Sequence, residues 1–275
     1  VIKFKKLNIS EGISDIGTPD LKYYAFDWDD NILEMPTKII LMDSDGQEVG
    51  ISTEDFADYR SMISTEEFQY DGKTIVGYAD NPFRNFRVEG DKQFIIDSLL
   101  AKPGPSWDDF VECINGGSIF SIITARGHTP SVLKESVFNM IITNHMGIDM
   151  NQVTENLKKY REIVGEEKMS GNELINYYLD LCRFYPVTYG EGSAANPEEG
   201  KIKALREFIN YVKSISIEIG KKAFFKNDVK NNFVPNIGFS DDDPKNIESL
   251  KGFLDKEYPD EVDIYLTKGG EKVKV

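Results

Sequence analysis

The sequence predicts an α/β fold, a mostly parallel sheet with helices on both faces. Three observations predict it. Short apolar runs rich in aromatic and β-branched residues recur at 23–26, 118–123, 185–189, 237–240 and 262–267, and their brevity suits buried strands rather than helices. Stretches of helical period separate most of these runs, and Pro130, Pro197 and Pro244 stand at the favoured first turn of three of them. Several runs also end abruptly in polar groups: Asp27, Asp29 and Asp30, then Thr124, then Asp241 and Asp242. In an open parallel sheet, ligands bind just beyond such carboxyl ends.

Taken in order, residues 1–6 read as a strand or ordered arm, without the apolar core of a secretory signal. The acidic cluster after residue 26 is not an EF-hand loop, because Ile32 occupies the sixth position and Lys38 the twelfth, where a Gly and a Glu are required. Residues 37–41 and 48–52 flank Asp43-Ser44-Asp45-Gly46 as a hairpin, and Thr53 caps a helix over 54–62. Residues 64–92 form a small, partly β insertion with an Asp71-Gly72 turn, and carry Arg84 and Arg87, candidates for gripping an anionic substrate. A helix follows over 91–100, stopped by Lys102-Pro103-Gly104-Pro105, and Ser106 starts another.

The strand at 118–123 leads into Thr124-Ala125-Arg126-Gly127 and a helix over 130–144, and Arg126 is a further candidate for substrate binding. Two helical segments lie within 151–182, the second opened by a Ser170–Glu173 capping box. Asn196 caps a helix that runs to about residue 213 and carries Lys201 one turn in. Beyond it, Ile215, Ile217 and Ile219 alternate as in a strand, and 221–232 reads as an exposed loop. Pro244 opens the last helix, 262–267 is the last strand, and the tail is basic.

Composition narrows the function classes. With 275 residues the chain can bury one large core plus a small accessory domain. No apolar run approaches the roughly 18 residues of a membrane span, so no membrane association is expected. Cys113 and Cys182 are the sole cysteines, which suits a reducing, cytoplasmic setting, and two histidines, His128 and His145, make no zinc cluster. A formal charge of -15 disfavours nucleic acid as a partner. If the substrate is a phosphate, so acidic a chain requires a divalent cation to admit it.

A parallel sheet would gather Asp27, Asp29, Thr124, Lys201 and Asp242 at one edge, supplying carboxylates, a hydroxyl and an ammonium suited to phosphoryl transfer. These residues resemble the motifs of the haloacid dehalogenase-like (HAD) superfamily of aspartate-nucleophile phosphatases. Phe26-Asp27-Trp28-Asp29-Asp30-Asn31 matches the first motif, with Asn31 replacing the usual Thr or Val. Ile122-Ile123-Thr124 matches the second, and Asp241-Asp242 with Asn246 the fourth. Lys201 is the choice for the third, with Lys203, Lys221 and Lys222 as alternatives.

The resemblance implies a Rossmann-like core over 1–49 and 106–275, with a helical insertion at about 145–184 and a cap insertion over 50–105. It implies a Mg2+-dependent phosphohydrolase in which Asp27 attacks phosphorus and Asp29 acts as acid and base. Mg2+ would be held by Asp27, the Asp29 backbone carbonyl and Asp242, with Asp241, Asn246 and Asn31 in support, while Thr124 and Lys201 bind phosphoryl oxygens. The second Asp favours phosphate esters over halides. A small-molecule phosphate ester is the leading substrate, a polynucleotide end the alternative, and a non-catalytic metal-binding or scaffold protein the rival from another class. Asp30 receives no role, and Trp28 is expected to pack beneath the flap.

Overall fold

The computed structural model describes residues 22–164, 169–190, 196–224, 236–268 and 271–275; the arm at 1–6 and the segment 225–232 lie outside them. The chain begins with β1 (Lys22–Phe26), β2 (Leu33–Glu34), β3 (Ile39–Asp43), β4 (Glu48–Ile51), α1 (Thr53–Tyr59), β5 (Phe68–Tyr70) and β6 (Lys73–Tyr78). It continues through α2 (Asp91–Leu100), β7 (Lys102–Pro103), α3 (Trp107–Asn115), β8 (Phe120–Thr124), α4 (Pro130–Ile142), α5 (Met150–Val164) and α6 (Gly171–Leu181). Last come β9 (Arg183–Pro186), α7 (Pro197–Phe224), β10 (Asn236–Asp241), α8 (Pro244–Glu257), β11 (Val262–Lys268) and β12 (Glu271–Lys274).

Six strands form a mixed, mostly parallel sheet in the order β12-β11-β10-β1-β8-β9, with only the β11–β12 pair antiparallel. Alternation along each strand sends side chains to opposite faces. Phe26, Phe120 and Ile122 enter one core with α3, α4, α5 and α6, whereas Tyr23, Ala25, Ile123, Ile237 and Phe239 enter the other with α7 and α8. All five residues of β8 are buried, as a central parallel strand demands. Trp28 is fully buried in the first core, its ring centroid 5.4 Å from that of Phe94.

A second sheet, β4-β3-β6-β5, is wholly antiparallel and holds its own apolar cluster around Leu41, Ile51, Phe68 and Ile75. Its β5–β6 turn, Asp71-Gly72, has positive φ at both residues, as a two-residue hairpin requires. The sheet starts at Ile39, so the hairpin expected over 37–41 and 48–52 is half of it, while α2 packs with α4 on the larger core. The helices α5 and α6 bury Val153, Leu157, Leu174 and Tyr178 in that core and form, with α4, one long crossover between β8 and β9.

Several local expectations change. Ser52, not Thr53, caps α1, its hydroxyl accepting from Asp55 N–H at 3.0 Å. Ser170 makes no side-chain cap, and β9 begins at Arg183 rather than residue 185. The alternation of Ile215, Ile217 and Ile219 is overruled because α7 continues through it. Lys201, Ala204, Leu205, Phe208, Ile209, Val212 and Ser216 form one buried stripe at helical spacing, and Tyr23 Oη bonds Ser216 Oγ at 2.6 Å. Among the described residues, no helix is long and apolar enough to cross a membrane.

The acidic loop after β1 is held from outside by the α2–α3 connection. β2 pairs with β7, and Gly104 N–H donates to the Ile32 carbonyl at 2.8 Å. A Cβ on Gly104 would lie 2.6 Å from the Asn31 carbonyl oxygen, so only glycine allows this approach. Gly104→Ala should therefore lower the unfolding free energy by about 1–3 kcal/mol in urea titrations. Gly252→Ala, on α8 with nothing within 4 Å, should raise it by roughly 0.5–1 kcal/mol.

Candidate active site

The carboxyl ends of β1, β8 and β10 and the first turns of α7 converge on a cavity of about 730 Å3, which α1, Tyr78, Phe83 and Phe86 also line. Asp27 is the first residue beyond β1 and is almost completely buried, its N–H donating to the Ser240 carbonyl at 2.9 Å. Lys201 Nζ lies 3.0 Å from Asp27 Oδ1 and 2.6 Å from Asp241 Oδ2. Burial acts to lower the Lys201 pKa, but the charges of Asp241 and Asp27 outweigh it and raise the value above that of an ordinary lysine. The ammonium is thus permanent. Lys203 is exposed on α7, and the side chains of Lys221 and Lys222 fall outside those described.

Ligand atoms of Asp27, Asp241 and Asp242 lie within 4.8 Å of one another. Burial, then the Asp241 and Asp29 charges, drives the Asp27 carboxyl well above the usual range against the pull of Lys201. Burial likewise raises Asp242, helped by Asp241 and Asp27. One ammonium does not neutralise three carboxylates, and an all-oxygen cluster of this kind fits a hard divalent cation. The two acids of β10's end are not equivalent. Asp241 is committed: its oxygens accept from Lys201, from Asn246 Nδ2 at 3.0 and 3.3 Å, and from Asp243 N–H at 3.0 Å. Asp242 lines the cavity and is the better placed ligand.

Asn31 is fully buried and joins three strands and a helix. Its Nδ2 donates to the carbonyls of Asp27 at 3.0 Å and Ser240 at 3.1 Å, and to Ser240 Oγ at 3.0 Å. Its Oδ1 accepts from Ser106 and from Thr267, each at 2.8 Å. The Ser106 hydroxyl, expected to cap α3, is turned inward for this purpose and makes no cap bond.

Asp29 faces the cavity with both oxygens taken by Arg126, whose Nε and Nη2 donate at 2.8 and 2.6 Å. Arg126 is itself buried between the rings of Phe86 and Phe94, with Nη2 also donating to Thr37 Oγ1 at 2.9 Å. His128 completes the support. Burial and the neighbouring Arg126 lower its pKa, so the neutral ring accepts from Arg126 at Nε2 and donates from Nδ1 to Asp91 at 2.8 Å. Thr124 is buried, lines the cavity and accepts weakly from Arg126 N–H at 3.3 Å, leaving its own proton to donate.

Of the arginines expected to grip substrate, Arg126 and Arg87 line the cavity, and Arg87 donates to the Thr188 carbonyl at 2.9 Å. Arg84 is not among the lining residues; it pairs with Glu48 on the surface of the antiparallel sheet at 2.6 Å. Sequence reasoning missed Thr37, Asp91 and His128, which position Arg126, and Arg60, which ties α1 to Asp243 at 3.0 Å. Only the closeness of His128 to Arg126 hinted at the first group. No protein-family model, curated protein or solved structure matches the chain.

The raised carboxyls make stability depend on pH. Asp27, Asp242 and Asp30, the last pushed up to about 6 chiefly by burial, hold protons more tightly folded than unfolded. Their contribution is complete below the ordinary carboxylate value of about 4 and is lost as pH rises through the folded values. Mg2+ should therefore raise the thermal midpoint more at about pH 8 than at about pH 5. Asp242→Asn should raise the metal-free midpoint at the higher pH and shrink the Mg2+ effect. A Mg2+ response unchanged in that variant would contradict the cation assignment.

Proposed function

We propose that the protein is a Mg2+-dependent phosphohydrolase of the haloacid dehalogenase-like type, acting through an aspartyl-phosphate on a small phosphate monoester. The observation that carries the reading is the buried Lys201 ammonium between Asp27 and Asp241, with the Thr124 hydroxyl and the Asp242 carboxylate on the same cavity. Lys201 fills the role that the third motif of the family requires. On this reading the antiparallel sheet and α1 are the cap over the core. Buried, unpaired Cys113 and Cys182 accord with a reducing, cytoplasmic setting.

Asp27 forms a bond to phosphorus as the ester oxygen departs with a proton from Asp29. Asp29, now a carboxylate, takes a proton from water, whose oxygen attacks phosphorus and breaks the Asp27 linkage to release phosphate. Lys201 and Thr124 donate to the phosphoryl oxygens as charge builds on them. Mg2+ held by Asp27, Asp242 and the Asp29 carbonyl would supply the positive charge that lets a phosphate dianion approach these acids. Because Arg126 occupies both oxygens of Asp29, proton transfer requires one of them to be released, and an incoming phosphoryl group competes for the guanidinium. That same pairing favours the second reading, a non-catalytic descendant in which Asp29 is retained for structure alone.

Hydrolysis of an aryl phosphate separates the two. Mg2+-dependent release, lowered on the order of 10³-fold or more by Asp27→Asn or Asp29→Asn, is the expected result. Wild-type rates in Asp27→Asn would remove the nucleophile assignment. An absence of turnover across sugar, nucleotide and polynucleotide phosphates, with Mg2+ still bound, would establish the non-catalytic reading.

A further inference from the structure

The cavity changes character along its length. The parallel-sheet edge contributes Asp27, Thr124, Lys201 and Asp242, whereas α1, the antiparallel sheet and the loop after it contribute Phe56, Tyr78 and Phe83. Thr53, Phe56 and Ala57 of α1, with Arg60 and Ser61 just beyond its end, line the cavity at helical spacing. The three rings lie together, with centroids 5.7 Å apart for Phe56–Phe83, 6.0 Å for Tyr78–Phe83 and 6.4 Å for Phe56–Tyr78. Tyr78 remains 38% exposed although its neighbours Ile75 and Ala79 are buried. An aromatic surface of this kind opens toward a planar partner.

The cavity is also lined by a polar pair, Asp30 and Thr53. The Thr53 hydroxyl supports the buried Asp30 carboxyl, and neither Asp30 Oδ2 nor Thr53 Oγ1 has another protein partner among the described residues. Asp30 also has a φ of 51°, the left-handed region that non-glycine residues rarely enter. A buried carboxyl and hydroxyl with no partner beyond each other keep hydrogen-bonding capacity that a ligand's hydroxyls can use. Ser52 caps α1 and so leaves the Thr53 hydroxyl available.

We infer that this cavity is a nucleotide site: a nucleoside monophosphate places its base on Phe56, Tyr78 and Phe83, its sugar hydroxyls at Asp30 and Thr53, and its phosphate beside Lys201 and Thr124. The phosphate end rests on the phosphohydrolase reading, whereas the base and sugar ends rest on the cavity itself. A volume of about 730 Å3 lies within the range of small-ligand pockets. A sugar phosphate would leave the aromatic wall unused. A polynucleotide would meet the chain's net charge of -15.

Calorimetry with Mg2+ and the Asp29→Asn protein, which retains the Asp27 and Asp242 carboxylates, tests this without relying on turnover. The probes are adenosine 5′- and 3′-monophosphate, ribose 5-phosphate and a terminally phosphorylated oligonucleotide. At least one adenosine monophosphate should bind about tenfold more tightly than ribose 5-phosphate. Tyr78→Ala at the exposed ring, and Phe83→Leu as a variant that keeps apolar packing, should each remove most of that advantage while leaving ribose 5-phosphate within about twofold. Thr53→Val should weaken nucleotide and ribose phosphate alike.

Equal binding of nucleotide and ribose phosphate, an advantage untouched by both aromatic variants, or tighter binding of the oligonucleotide would overturn the inference. Selective nucleotide binding by a protein that hydrolyses no ester would uphold the nucleotide site and defeat the phosphohydrolase reading. Hydrolysis without nucleotide preference would do the reverse.

Discussion

Everything at the sheet edge depends on one ammonium placed between two buried carboxylates. Without Lys201, Asp27 and Asp241 would be like charges in a low-dielectric setting, a cost of several kcal/mol per ion by general estimates. The lysine reaches them because Asn196 caps α7 and Pro197 fixes its first turn, which aims the helix's N-terminal end at the strands. The buried stripe of α7 then anchors that aim over several turns of helix. Asp242, the third carboxyl of the cluster, has no such cation beside it among the described residues, and on the proposed reading Mg2+ would supply that charge.

A second constraint keeps the acids in register. Asn31 spends both ends of its amide on neighbouring elements, bonding β10 through Ser240, α3 through Ser106 and β11 through Thr267. It also bonds the Asp27 carbonyl, so the loop bearing the acids is held by the very strands whose ends it joins. Because each partner is buried, removing the amide would strand several polar groups at once. Arg126 plays the same part on the other flank, where Phe86, Thr37 and Arg87 carry the link to the antiparallel sheet.

Much of this was legible in sequence because the physics is local. An apolar run ending in acids announces β1 and β10, and a Pro one residue past Asn196 or Asp243 announces a helix start. What was not legible depends on contacts between distant residues. Ile215, Ile217 and Ile219 satisfy a strand pattern, but the helical stripe from Lys201 to Ser216 wins because it packs on Tyr23 and its neighbours. Ser106 looks like a cap until Asn31 claims its hydroxyl, and Thr53 looks like one until Ser52 supplies the bond. Asp241 and Asp242 are indistinguishable by type; only the contacts of Lys201 and Asn246 separate them. The support of Arg126 by Thr37 and Asp91 leaves no sequence mark, since those residues are far away in the chain.

The most direct test is to ask which atom of the protein receives the phosphoryl group. Rapid quenching of a reaction with an aryl phosphate and Mg2+, followed by peptide mass spectrometry, should find one phosphoryl group on the peptide containing Asp27, appearing and decaying at rates consistent with turnover. Phosphate release at full rate with no such adduct, or with the label on another residue, would contradict the assignment of Asp27.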